Sequence, residues 1–281
     1  NIVRHTFDVL DLAFSRIRLM RPPTRHAPTP LLIPACIGLL IVAVPIIGLL
    51  QRAPWSSLVV QLTNPAVVDA IGVSLIVSTV SATLCLLLGL PLAWALARID
   101  LRGGRLIRAA VMLPMVLPPV VGGTALLFAL GRRGLVGQWL DRWFGITLPF
   151  TTAGAILAAT FVALPFFVTT VEAALRQNGT DLEEAAAVSG ARPLVAFLTV
   201  TVPASRESIV AGLALAWARA LGEFGATVTF AGNLAGRTRT LPLQTFLALE
   251  SDPEAALAIS VLLLTISLGV LVALRGRWLV R

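Results

Sequence analysis

Residues 31–50 read LLIPACIGLLIVAVPIIGLL, twenty consecutive positions without a charge. A helix rises about 1.5 Å per residue, so this block reaches about 30 Å, the depth of a bilayer's hydrocarbon core. Lipid offers backbone N–H and C=O groups no partner, so such a block is stable there only as a helix that satisfies them internally. Five more apolar blocks follow, at 71–97, 107–130, 153–175, 208–230 and 255–274. Composition agrees: 57% of the 281 residues are hydrophobic and 13% are charged, about half the charged share of a soluble domain. The chain is therefore expected to be an all-α membrane protein of six transmembrane helices.

Arginine sets the expected orientation. All 22 basic residues are Arg and none is Lys. Arg4, Arg16, Arg18, Arg21 and Arg25 precede the first block, Arg98, Arg102, Arg105 and Arg108 follow the second, and Arg275, Arg277 and Arg281 close the chain. Short basic loops stay cytoplasmic, which places both ends inside. Arg132, Arg133 and Arg142, after the third block, run against this rule and are outnumbered. The net charge of +8 reads as this topology signal together with attraction to anionic lipid. Nucleic acid is not an expected partner, because that would need arginines gathered on one soluble face. Residues 1–30 form a basic cytoplasmic segment. Over 2–19, apolar and basic residues alternate as in a helix lying in the membrane interface, a disordered basic tail being the other reading. The first block is too long and too interrupted by proline for a signal peptide, and Asn1 stands where an initiator Met would.

Missing residue types exclude whole chemistries. Without Lys there is no GxxxxGK[ST] phosphate loop and no Schiff base. His5 and His26, the two histidines, precede the first block, which leaves the membrane blocks without His metal sites or Ser-His-Asp triads. Cys36 and Cys85 read as packed small apolar residues. The chain is expected to hold no cofactor or metal and to catalyse no reaction.

Between the fourth and fifth blocks, residues 176–207 read RQNGTDLEEAAAVSGARPLVAFLTVTVPASRE, too long and too rich in helix formers for a tether. Asp181 or Thr180 can cap a helix that carries Glu183 and Glu184 in its first turn. Gly190 would end it, and Pro193 would open another. Two short helices at the cytoplasmic surface are expected.

Here the sequence resembles a known family. Glu184-Ala185-Ala186, Gly190, Val200, Val202 and Pro203 match the EAA loop of ABC-type importer permeases, with Val where Ile and Leu are common. A second proline usual in that loop is replaced by Glu207, which leaves the bend before the fifth block open. LPMVLPPVVGGTALLFALGRRGLVG (113–137) and ARALGEFGATVTFAGN (218–233), with RTRTLPLQTFLALESDPEAALAIS after it, are similar to the molybdate/sulfate oxyanion branch, and most to its molybdate members. The resemblance covers the chain from about residue 31. It implies a multi-pass permease subunit in the cytoplasmic membrane of a prokaryote, importing molybdate. It further implies a homodimer, two separate ATPase subunits that hold ATP and Mg, and an extracytoplasmic substrate-binding protein. In such a complex the loop is the coupling helix that docks on the ATPase, through Glu184, Ala185, Ala186, Gly190 and Pro203. Sulfate, thiosulfate or tungstate would keep the mechanism and change the ligand, whereas a non-transport scaffold would need another partner for the loop.

Ionisable residues inside a span are costly and are functional candidates by default. Arg219 and Glu223 stand four apart, which on one helix lets them pair. They line the path or its gate, with Phe224 and Gly225, or they lock the fifth span to its neighbours. The structural reading is favoured, since a neutralised pair traps anions poorly. Pro118, Pro119, Gly122 and Gly123 break the third span, as Pro114 does, and a kinked helix lining the path is preferred over close packing. Ser74, Ser78, Ser81 and Gly89 read as small-residue helix packing. Trp139, Trp143 and Phe144 read as an interfacial aromatic belt, or as a docking face for the binding protein.

Overall fold

The computed structural model describes residues 29–100 and 103–278, with side chains over 31–100 and 103–273. The amphipathic stretch expected at 2–19 lies outside the described residues. The chain divides into two units after Gln51. In the first, α1 (Thr29–Arg52) runs as one helix through Pro34 and Pro45.

The second unit begins with α2 (Leu58–Leu62) and the 34-residue α3 (Pro65–Arg98). α3 starts where sequence chemistry allows a start: Asn64 accepts from Ala66 N at 3.0 Å and Pro65 occupies the first turn. There follow α4 (Gly104–Val116), α5 (Pro119–Leu130), α6 (Gly137–Phe144) and α7 (Thr152–Gln177). Next come α8 (Asp181–Val188), α9 (Pro193–Ala196), a π-helical turn at Phe197–Thr201 and α10 (Val202–Ala204). α11 (Arg206–Leu221), α12 (Gly225–Phe230), α13 (Leu241–Ser251) and α14 (Pro253–Trp278) complete the unit.

Among the described residues four helices, α1, α3, α7 and α14, are each long and apolar enough to cross a bilayer, and the number rises to six if two bent pairs each make one span. The first pair holds the break expected in the third span, while the fifth, expected as one helix over 208–230, is interrupted after Leu221. Between α4 and α5 the chain turns by 118°, far beyond a kink. Pro118 and Pro119 supply no N–H, and Leu117, before proline, is held extended at φ −65° and ψ 135°. Segment 193–204 meets α11 at 76°. α11 itself has 16 residues, so it rises only about 24 Å, and residues 222–224 separate it from α12.

α3, α7 and α11 pack together through small side chains: Cys85 and Ala93, Ala155, Ala159 and Ala163, Ala216 and Ala220. Between membrane helices small residues let backbones approach, where lipid provides no hydrophobic drive. Gly89 illustrates this, since a Cβ there would lie 2.7 Å from the buried Phe167 ring. Ser74, Ser78 and Ser81 are buried as expected. Ser81 donates to Ile156 O at 2.9 Å, and Ser74 Oγ accepts from Leu241 N at 2.7 Å. Cys85 is buried in this core, whereas Cys36 is exposed on α1.

Long-range contacts sort the connections of the second unit to two ends. Arg98 and the end of α7 meet the 179–201 segment at one. At the other, Thr152 donates to Arg237 O at 2.9 Å, Gly236 lies beside Asp69, and Ser57 reaches Glu254.

Candidate functional site

The 176–207 segment has the expected form. Asp181, Glu183 and Glu184 fill the first turn of α8, where the helix dipole favours carboxylates. Thr180 does not cap a backbone N–H with its side chain; its hydroxyl donates to Glu184 Oε1 at 2.6 Å. Gly190 ends the helix at φ +84°, with Gly190 N on Ala187 O and Ala191 N on Ala186 O. A Cβ at Gly190 would meet nothing within 4 Å, so the position demands the left-handed backbone and not space. Pro193 opens α9. The π turn closes when Val202 N bonds Phe197 O, just before Pro203, which has no N–H of its own. Glu184, Ala185, Gly190 and Pro203 are exposed and Ala186 is half-buried. Around them Leu182, Leu194 and Leu198 are also exposed, and Val188 is 91% exposed. The segment thus carries apolar side chains that the rest of the chain leaves exposed.

Glu183 points the other way. Arg98 Nε lies 3.1 Å from both its carboxylate oxygens, and Thr201 donates to Oε1 at 2.9 Å. In the sequence Arg98 counted only as a topology charge, and Glu183 only as a helix-start acid.

The path candidates assemble where two helix breaks meet. A Cβ on Gly225 would fall 2.7 Å from Pro119 Cβ, and one on Gly123 would fall 2.8 Å from Ala226 O and 2.7 Å from Thr229 Cβ. α5 and α12 therefore touch backbone to backbone, which is the close-packing alternative for Gly123. Gly122 faces the Phe161 ring of α7, while Pro118 and Pro119 are exposed at the bend. Phe224 packs against Phe246 of α13, the rings tilted by 52° with centroids 5.3 Å apart; nothing in the spacing of the sequence points to Phe246.

Arg219 and Glu223 pair, but not on one helix. α11 has ended at Leu221, and Glu223 lies in the break. Its Oε1 accepts from Ala226 N at 2.8 Å, so the carboxylate serves the first turn of α12. Its Oε2 lies 2.7 Å from Arg219 Nη2 without the in-line geometry of a hydrogen bond. The Glu223 side chain is 1% exposed and that of Arg219 is 27%, so the acid is the buried partner and the base the more exposed one.

With this geometry in view, residues 86–281 match the family model described as binding-protein-dependent transport system inner membrane component. The chain is 44% identical over 258 residues to the molybdenum transport system permease protein ModB of Mycobacterium tuberculosis, covering 92% of this chain and 97% of that one. It is 39% identical to ModB of Escherichia coli K12, over 76% of this chain and 93% of the relative. Identity to the sulfate transport system permease protein CysT of the same bacterium is 36%, over 83% and 84%. Among solved structures, a bacterial ABC transporter involved in the import of the acidic polysaccharide alginate superimposes with TM-score 0.71 at 18% identity, over 90% of this chain and 96% of that one. The last likeness concerns the fold alone. A match in sequence over 92% of its length, with the expected helical loop in place, leads to one conclusion: the chain belongs to the inner membrane components of binding-protein-dependent transport systems.

Proposed function

We propose that the chain is the permease subunit of an ATP-driven importer that carries molybdate into the cell. Two copies would form the path, two ATPase subunits holding ATP and Mg would dock from the cytoplasm, and an extracytoplasmic binding protein would deliver the anion. Each copy would span the membrane six times with both ends inside, α4 with α5 making the third span and α11 with α12 the fifth. The observation that carries this reading is the 44% identity to a molybdenum permease across 97% of that relative's length.

The geometry supports it at two places. The exposed apolar face of α8 and α9, with Glu184, Ala185, Ala186, Gly190 and Pro203, suits docking on an ATPase. The meeting of α5 and α12, with Pro118, Pro119, Gly122, Gly123, Phe224, Gly225 and the Arg219–Glu223 pair, suits a gate. Two packed broken helices repack as rigid pieces when the coupling segment moves, giving inward- and outward-open states. Identity of 36% to a sulfate permease makes sulfate the second substrate to test. Purified complex should contain permease and ATPase in equal numbers, and its ATP hydrolysis should rise with molybdate-loaded binding protein. Stimulation by sulfate-loaded protein alone would transfer the chain to the second reading, and a permease that retains no ATPase would overturn both.

A further inference from the structure

We infer that Arg98 and Glu183 form the joint through which the coupling segment moves the helix bundle, a positioning role separate from ATPase docking. The inference rests on the permease reading above, and starts from one guanidinium with three acceptors. Arg98, the last residue of α3, bonds Glu183 through Nε, Leu175 O through Nη1 at 2.8 Å, and Gly179 O through Nη2 at 2.5 Å. It thus ties the end of α3 to the end of α7 and to α8. The carbonyl at Leu175 belongs to a helix C-terminus, which lacks intrahelical donors and favours a cation.

Glu183 is gripped from both halves of the loop, since Thr201 of the π turn donates into the same carboxylate. Side-chain exposure is 10% for Arg98 and 22% for Glu183. Glu184, the neighbouring acid that the motif emphasises, is exposed and is bonded to Thr180 of the same loop. One helix therefore presents its docking residues outwards and its anchor inwards.

A second rivet extends the link. Glu172 of α7, with its side chain 7% exposed, takes Arg108 Nε of α4 at 2.8 Å and Arg176 Nε at 2.9 Å. Both arginines also donate to Leu96 O, in the last turn of α3, at 3.2 and 2.6 Å. Polar contacts thus run from α8 through the ends of α3 and α7 to α4. From there the chain passes the 118° bend to α5, which packs on α12 beside Glu223. Charge-assisted bonds of fixed direction hold such a joint at one length, whereas an apolar contact between the same helices could slide.

The test uses permease, ATPase and binding protein together in proteoliposomes, reading molybdate imported per ATP hydrolysed and ATPase retained on purification. Arg98→Gln and Glu183→Gln should keep the ATPase and its hydrolysis while import per ATP falls about tenfold, and the double variant should fall no further. Thr201→Val, which removes one hydrogen bond, should lower the ratio about twofold. Parental ratios in the Gln variants would overturn the joint. So would loss of ATPase in step with transport, which would make the contact a docking one. Should the Gln variants fail to assemble, Thr201→Val decides, and an unchanged ratio overturns the inference. A parental complex that retains the ATPase but imports no molybdate would contradict the substrate reading alone. The joint is then read from ATP-driven displacement of spin labels at Gly236, which Glu183→Gln should abolish and which, if retained, overturns it.

Discussion

Glu223 answers two demands with one carboxylate, capping α12 through Ala226 N and facing Arg219. The two partners differ in burial, and this makes their substitutions unequal. Arg219→Met strands a buried carboxylate and should cost about 3–5 kcal/mol. Glu223→Gln keeps an oxygen for Ala226 N and leaves only a partly exposed arginine unpaired, so its loss should be smaller, about 1–2 kcal/mol. Thermal midpoints of the purified complex would show the order, and equal losses would contradict the assignment of the acid as the buried partner. Glycines sort in the same way. Gly123→Val sets a side chain against Ala226 O, a backbone atom that cannot yield, and should destabilise by about 1–3 kcal/mol. Gly122→Ala meets only the edge of the Phe161 ring at 3.2 Å and should be close to neutral in the same measurement.

The 176–207 segment is the element most legible in the sequence, because its signals are local: an acidic first turn, Gly190 at a left-handed terminus, and Pro193 at a first turn. Its function should be separable from the bundle's stability. Gly190→Asp, Glu184→Lys and Val188→Asp should each reduce ATPase co-purification while leaving permease abundance normal, since none of these residues packs in the core. Loss of abundance in all three would assign the segment to folding instead. The broken elements were less legible. Pro118 and Pro119 announce a break, but the 118° turn depends on where α5 finds a surface, which α12 supplies through Ala226 and Thr229. At Glu223 a side chain bonds backbone three residues on and competes with the helix, which a spacing of four from Arg219 does not reveal. Arg98 looked like any arginine after an apolar block, because its three acceptors belong to α7 and α8.

For the molecule, sidedness is the first test. Arg132, Arg133 and Arg142 lie with Arg237 and Arg239 at the end away from residues 176–207, so basic residues occupy both ends. Several there are engaged locally: Arg132 pairs with Asp141 at 3.0 Å, Arg142 sits 5.3 Å from the Trp139 ring centroid, and Arg239 bonds Asn233 at 2.8 Å. In a background with the exposed Cys36 replaced by Ser, a cysteine at Ala191 should react only with reagent supplied from the cytoplasm. One at Gly236 should react only from outside, and the reverse pattern would invert the topology. The most direct measurement is ATP-dependent accumulation of labelled molybdate in proteoliposomes that contain the permease, its ATPase and the binding protein, with sulfate as competitor. Accumulation that requires ATP and persists in a large excess of sulfate is the predicted result; accumulation without the ATPase, or its abolition by sulfate, would contradict the account.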